Sequence, residues 1–198
     1  MAGAVGSCCD YRRVTTTGPL TLPELRGDHV RLRAFSHSDI PTVLDAATDA
    51  LIPVLTTVPS TQDSDLAAAF IDRQHGRAIS GTGYSFAVAD ERDVAVGQIG
   101  LWLRDIDHGR VNVGYWIAPS ARRRGYAADA LRTLTAWGEH LPQVRRLELY
   151  VEPWNEGSWR AAERAGVERE GLLRSWEEVG ADRRDMFMYS RIANPYQA

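Results

Sequence analysis

The sequence predicts an α+β fold in which helices flank one mixed sheet of about seven strands. The first observation is a run of three segments in which apolar and polar residues alternate, between residues 84 and 118. The second is the order of the segments that follow, which is helix, strand, helix, strand, strand. The third is size, because 198 residues with 44% hydrophobic content suffice for one domain with its own core.

The N-terminal third has two helical segments. Residues 30–34 alternate as a first strand, and Ser38 or Asp39 offers an N-cap for a short helix through Ala47. Residues 51–59 are expected to form a loop. Helical spacing returns over residues 64–79, and the Gly-Thr-Gly that follows ends this second helix.

The remaining elements are predicted from similar signals. Strands are expected at residues 84–89, 94–103 and 111–118, with turns at Glu91-Arg92-Asp93 and Asp107-His108-Gly109. After a helix from about residue 127 come a strand, a short helix and two closing strands, at residues 146–151, 157–165, 168–178 and 183–192.

The strand at 111–118 passes through three arginines and Gly125 directly into a helix. The N-terminus of a helix carries unpaired amide groups and the positive end of the helix dipole. Glycine leaves an anion room to approach those amides. Arginine charges at this point interact unfavourably with the helix dipole unless an anion is bound between them. The segment therefore predicts a pyrophosphate site in preference to a merely solvated helix start.

The residues that carry a family resemblance are Arg122, Gly125 and Ala127, in the pattern R-x-x-G-x-A. Together with its strand-to-helix setting, this pattern resembles the pyrophosphate signature of GNAT acyltransferases. The block 147–192 is similar to the C-terminal half of the RimJ/RimL type of N-acetyltransferase, with N-x-x-S at Asn155 and Ser158. The resemblance covers about residues 22–192.

The resemblance implies the GNAT fold, in which the strands at 111–118 and 146–151 are parallel and splay apart. Pantetheine would lie in the opening and bond to the first strand, with one amide there stabilising an oxyanion. The residues expected to hold acetyl-CoA are Trp116, Ile117, Arg122, Arg123, Arg124, Gly125, Tyr126, Ala127, Ala128 and Asn155.

The same resemblance supplies the catalytic candidates. Many GNAT enzymes protonate the leaving thiolate with a tyrosine, but Ala162 occupies that position here. In RimL-type enzymes a serine and a glutamate are proposed as acid and base, which map onto Ser158 and Glu177. The alternatives stay open, since Asn155 and Ser158 are also ordinary helix-capping residues and Glu177 also fits a solvated strand end.

The function implied is transfer of an acetyl or other short acyl group from acyl-CoA to a primary amine, on a protein N-terminus or a small molecule. Transfer should be direct, because the two cysteines, Cys8 and Cys9, lie in the leader. Because the usual tyrosine is absent, one alternative function stays open, that of a non-catalytic CoA-binding sensor or partner protein.

Composition excludes several other classes of function. All 23 basic residues are arginine, which excludes a P-loop and a lysine Schiff base. A net charge of -3 gives no general attraction for nucleic acid, and no metal-ligand spacing or membrane segment is present. We expect a leader at residues 1–21, a single domain at 22–198 and a cytoplasmic location; the oligomeric state, a homodimer included, stays open.

Overall fold

The computed structural model describes residues 18–193 and contains an eight-stranded sheet with helices on both faces. The strands are β1 (Leu25–Arg26), β2 (Arg31–Arg33), β3 (Gly83–Ala89), β4 (Ala95–Trp102), β5 (Arg110–Ile117), β6 (Arg146–Val151), β7 (Glu168–Val179) and β8 (Asp182–Ile192). The helices are α1 (Ile40–Ala47), α2 (Ile52–Leu55), α3 (Ser64–Ile79), α4 (Tyr126–Gly138) and α5 (Glu156–Arg164).

The strand order in the sheet is β1-β2-β3-β4-β5-β6-β8-β7. Strands β1 to β5 form an antiparallel meander, and β6, β8 and β7 form a second antiparallel group. Strands β5 and β6 are parallel, and α4 is the crossover that a parallel connection requires. The sheet is therefore mixed, as the sequence predicts.

Two apolar clusters cover the two faces of the sheet. On one face α4 and α5 bury residues such as Leu131, Leu134 and Ala162 against the strands. On the other face α1 and α3 pack around Phe70 and Trp116, whose rings lie 6.3 Å apart. Strand β5, which borders the expected site, contributes side chains to both clusters.

The predicted elements are confirmed with two corrections and one shift. The bounds of α3 and β6 match the expected ranges, whereas β1, a pair of residues, is an eighth strand that the sequence pattern misses. The expected loop at 51–59 contains the single-turn helix α2. Helix α4 begins at Tyr126, after the three arginines, with Gly125 as its N-cap.

The predicted leader, residues 1–21, lies mostly outside the described part of the chain. Residues 1–17, with Cys8 and Cys9, and residues 194–198 lie outside the described part of the chain. Leu20 packs against the core, and its amide donates to the Ala78 carbonyl at 2.8 Å. No helix between residues 18 and 193 is long and apolar enough to cross a membrane.

Candidate active site

The parallel strands β5 and β6 pair only at their beginnings. Their register runs over three residue pairs, from Arg110 opposite Arg146 to Asn112 opposite Glu148. Beyond Asn112 the two strands diverge, while each keeps its antiparallel partner on the other side. A gap therefore opens in the middle of the sheet.

A cavity of about 910 Å³ occupies this gap and reaches both faces of the sheet. Its wall on the α5 side includes Tyr115, Asn155 and Ser158. On the α3 side it is bordered by Arg77 and Trp102. Such a passage lets one substrate enter from each face and meet the other within the sheet.

Only alternate residues of β5 present their backbone to the gap. The Ala118 amide donates to the Val96 carbonyl at 3.0 Å, and Trp116 is aligned with Gln98 in the same antiparallel ladder. Because this alternation is strict, the Trp116 backbone faces β4 and the Ile117 backbone faces the gap. Of the two positions expected to bond pantetheine, Ile117 is suitably oriented and Trp116 is not.

The N-terminus of α4 is open to an anion. Gly125 has a φ of +85°, and no side chain caps the first turn. A Cβ built on Gly125 would meet no atom of the described residues within 4 Å, so the space beside this glycine at the start of the helix is open. The one acidic residue of the first turn, Asp129, is turned away and accepts hydrogen bonds from the amides of residues 28–30.

The three arginines before α4 have different surroundings. Arg122 is paired with Asp49 at 2.8 Å, and its Nε donates to the Ile117 carbonyl at 3.1 Å. Burial acts to raise the pKa of Asp49, but the Leu51 and Ile52 amides and Arg122 lower it overall. Within residues 18–193, no carboxylate lies within 4.0 Å of the Arg123 or Arg124 guanidinium, so two of the three charges remain for an anion.

A second, shallower hollow of about 350 Å³ lies beside the start of α4. Arg124 and Tyr126 line it from the helix side, and His29, Glu91 and Arg92 from the β2 and β3 ends. Asp90 also lines it, so the two arginines are matched by two carboxylates, and Arg92 is paired with Asp90 at 3.7 Å. The hollow therefore carries no excess of positive charge.

Ser158 is held by two neighbours at the wall of the cavity. Asn155 is the N-cap of α5, and its Oδ1 accepts from the Ser158 amide at 3.2 Å. The Tyr115 hydroxyl lies 2.7 Å from Ser158 Oγ and also donates to the Ser158 carbonyl at 3.1 Å. The capping alternative for Asn155 is thus observed, and it leaves the Ser158 hydroxyl facing Tyr115 and the cavity.

Two tyrosine hydroxyls reach the cavity, and both resist ionisation. Burial raises the pKa of Tyr115 to about 12, although the bond with Ser158 acts in the opposite direction. Burial and the Glu148 carboxylate raise the pKa of Tyr150 to about 12 as well. Because Tyr150 donates its proton to Glu148 at 2.9 Å, its hydroxyl is already engaged.

Carboxylates lie on the β6 and β7 side of the cavity. Glu177 lines the cavity from β7 and is exposed, and it follows a bulge in the β7–β8 pairing. Glu152, at the end of β6, is 7% exposed, and the closest basic atom is Arg184 Nε at 4.0 Å. Sequence reasoning missed Glu152, whose only signal is a charged residue directly after a buried strand.

Buried neutral side chains form the floor on the α3 side. Gln98 Nε2 donates to Gln74 Oε1 and to Ser85 Oγ, and the Trp116 indole donates to Gln98 Oε1 at 2.7 Å. Ser85 in turn donates to Gln74. No buried side-chain polar atom in residues 18–193 lacks a partner. This network fixes α3 against β3, β4 and β5.

Comparison with known proteins agrees with this geometry. The family model described as an acetyltransferase (GNAT) domain matches residues 29–168, which is more than half of the chain. The chain belongs to the GNAT acetyltransferase family. The GNAT signature that it carries, R-x-x-G-x-A, is the segment that forms the open start of α4.

One curated GNAT relative and two solved structures show how far the likeness extends. The uncharacterized N-acetyltransferase p20 of Bacillus licheniformis is 24% identical over 170 residues, covering 85% of this chain and 96% of the relative. Mycobacterium smegmatis RimJ, solved with CoA-disulfide, superposes with a TM-score of 0.69 at 22% identity, covering 91% of this chain and 90% of RimJ. RimL, a ribosomal L7/L12 α-N-protein acetyltransferase solved with coenzyme A, gives 0.70 at 18% identity, covering 86% and 98%.

Proposed function

We propose that this GNAT protein transfers an acetyl or other short acyl group from acyl-CoA to a primary amine in the gap between β5 and β6. The observation that carries the proposal is the divergence of these two strands after three residue pairs. It leaves one strand edge unpaired beside an uncapped helix N-terminus, which suits a long ligand that has an amide-bearing arm and an anionic end.

The residues present fit acetyl-CoA as the donor. The amides of Tyr126, Ala127 and Ala128 and the charges of Arg123 and Arg124 would hold the pyrophosphate, and Ile117 would bond the pantetheine arm. Acetyl-CoA supplies an activated thioester, so the protein needs to position an amine, stabilise an oxyanion and manage two protons.

The chemistry is a direct displacement. Glu177 takes one proton from the acceptor ammonium, and the neutral amine attacks the thioester carbon. As the carbon–sulfur bond breaks, the thiolate takes a proton from Ser158, and the second proton that the nitrogen loses as the amide forms returns to Ser158 through solvent. Atoms balance without an acyl-enzyme, and the described cavity wall contains no cysteine or lysine that would form one.

The proposal is supported at Ser158 by position and by its neighbour. Ser158 is next to the gap, and Asn155 fixes its backbone. The partly buried Tyr115 hydroxyl fixes its side chain. A fully buried alanine at position 162 leaves Ser158 as the hydroxyl that α5 contributes to the described cavity wall.

The test is a thiol-release screen with acetyl-CoA and longer acyl-CoAs against peptides, aminoglycosides, polyamines and amino acids. An enzyme releases CoA thiol only when an acceptor is present, and the longest chain accepted measures the acyl pocket. A CoA-binding sensor, the alternative suggested by Ala162, binds CoA by calorimetry and releases no thiol with any amine. A cytoplasmic location is part of the same proposal, because acetyl-CoA and its acceptors would be met there.

A further inference from the structure

Arg77 places a positively charged group on the α3 side of the cavity. It lies in the last turn of α3, and its guanidinium carbon is 4.4 Å from the centroid of the Trp102 ring. Its Nε donates to Gln74 Oε1 at 3.1 Å. These two contacts fix the plane of the guanidinium and leave its terminal nitrogens directed away from the Gln74 bond.

No counter-ion accompanies this charge in the described part of the chain. Among residues 18–193, no carboxylate oxygen lies within 4.0 Å of the Arg77 guanidinium. Burial lowers the pKa of Arg77, and the neighbouring charge of Arg73 adds to that effect. An anion bound beside this guanidinium would offset both effects.

The position of Trp102 brings this charge next to the gap. The indole covers Gly100, and its Nε1 lies 3.2 Å from where a Cβ on Gly114 would be. Gly114 is two residues beyond Asn112, the last β5 residue that pairs with β6. The stacked guanidinium therefore borders the point where the strands separate, on the face opposite Ser158 and α5.

The charges on the cavity wall are divided between its two sides. Glu152 and Glu177 come from the β6 and β7 side, and Arg77 comes from the α3 and β4 side. Arg104 and Asp105, both exposed on the rim near Trp102, have opposite formal charges and offset each other. A ligand that lies across the cavity thus meets carboxylates at one end and a guanidinium at the other.

We infer that Arg77 binds an anionic group of the amine acceptor, a carboxylate or a phosphate, so that the acceptor is a primary amine that also carries a negative charge. This inference rests on the proposed acyl transfer and specifies its substrate class. The planar guanidinium offers two parallel N–H donors, which match the two oxygens of a carboxylate or phosphate. The carboxylates opposite would attract the ammonium end before it loses its proton.

The experiment compares amines that differ only in the anion. The pairs are β-alanine with β-alaninamide and phosphoethanolamine with ethanolamine, with rates expressed per unprotonated amine. In the wild-type protein the anionic member of at least one pair should have a kcat/KM about 10- to 100-fold higher, the value of a charge-assisted hydrogen bond. The pair that shows the preference identifies the anion as carboxylate or phosphate.

Variants then assign the preference to one residue. Arg77→Gln should abolish this preference through KM, so that the anionic and neutral members of the pair react at similar kcat/KM, and Arg77→Lys should retain part of it. Arg26→Gln, at an exposed arginine of edge strand β1, is the matched control and should behave as wild type. Thermal melting of each variant establishes that it is folded.

The possible failures are distinguishable. Equal rates for both members of each pair in the wild-type protein, or a preference that survives in Arg77→Gln, would overturn the inference and leave acyl transfer intact. If no amine releases thiol, the proposed function is wrong, and calorimetry of the same four probes with the CoA-loaded protein decides the inference. Binding of an anionic probe that Arg77→Gln loses supports it; absence of binding, or equal binding by the variant, overturns it.

Discussion

The Tyr115 hydroxyl lies 2.7 Å from Ser158 Oγ and 3.1 Å from the Ser158 carbonyl oxygen, although the two residues are 43 positions apart in the chain. When Tyr115 donates to Ser158 Oγ, the serine proton is free to point into the cavity. When Tyr115 donates to the carbonyl, the serine proton is drawn to the phenol instead. The phenol thus sets the direction in which Ser158 donates.

Tyr115→Phe should lower kcat by about 10-fold and leave the affinity for acetyl-CoA unchanged, since one hydrogen bond to a reacting hydroxyl is lost. Steady-state thiol release and calorimetry measure the two quantities. Tyr84→Phe is the control, because Tyr84 is a buried tyrosine that does not line the cavity. A Tyr115→Phe enzyme with the kcat of the Tyr84→Phe enzyme would show that Tyr115 only fills space.

Ser158→Ala should lower turnover much more than CoA affinity, because the thiolate loses its proton donor. Adding Tyr115→Phe to Ser158→Ala should have no further effect, since the two groups act as a unit. Additive losses in this double-mutant cycle would separate the two roles. If Ser158→Ala turns over at the wild-type rate, water or the Tyr115 hydroxyl is the donor, because Tyr150 is already bonded to Glu148.

Gly125→Leu should weaken CoA binding by placing a side chain over the open amides of α4. Its backbone φ of +85° also costs about 1–2 kcal/mol for a residue with a Cβ. Gly166→Leu is the matched control, with a φ of +77° and equally open surroundings after α5. Calorimetry should find lost affinity only at position 125, and equal affinity in the two variants would exclude this site.

Glu177→Gln should lower the rate by ~10²-fold or more near neutral pH, as for loss of a general base. Raising the pH should partly restore it, because the acceptor amine then loses its proton without help. The adjacent Glu178→Gln, at an exposed residue that does not line the cavity, controls for loss of one negative charge. Superimposable pH–rate profiles for Glu177→Gln and wild type would make Glu177 a solvated strand residue.

The Arg146–Glu170 ion pair predicts a pH-dependent stability. Arg146 and Ser190 lower the pKa of Glu170 from its ordinary value of 4.5 to about 2. The contribution is therefore present above pH 4.5 and is lost as the pH falls toward 2. The Glu170 side chain is 41% exposed, so we expect less than about 1 kcal/mol.

Melting curves of wild type and Glu170→Gln test this sign. The wild type should have the higher Tm at pH 6, and the difference should shrink at pH 3. Glu168→Gln, two residues earlier on β7 and exposed, is the control. A Tm difference that grows on acidification would contradict the assignment.

Much of the fold can be predicted from the sequence, because the spacing of apolar residues and the residues that end an element are both local features of the chain. Apolar and polar residues alternate along strand β6, and α3 ends at a Gly-Thr-Gly segment. Strand β1 is too short for a period to show, and α2 is a single turn containing Pro53. Such brief elements are determined by tertiary contacts.

The site is only partly readable for a different reason. The R-x-x-G-x-A and N-x-x-S patterns place Gly125, Asn155 and Ser158 correctly at two helix starts, since capping is also local. The orientation of the Trp116 backbone depends on the register between β4 and β5. A change of this register by one residue would turn every group of the strand to the opposite side. The Tyr115–Ser158 contact joins distant segments and has no local pattern.

The short pairing between β5 and β6 also determines how firmly the two halves of the sheet are joined. The eight strands behave as two sheets, of five and three strands, joined by three residue pairs and bridged by α4. In the free protein both inner edges beyond Asn112 lack a neighbouring strand, so amide protons there are the least protected of the sheet interior. A ligand arm that bonds to one of these edges would fill the space between the two halves of the sheet. Saturation with CoA should therefore slow amide exchange in both halves at once.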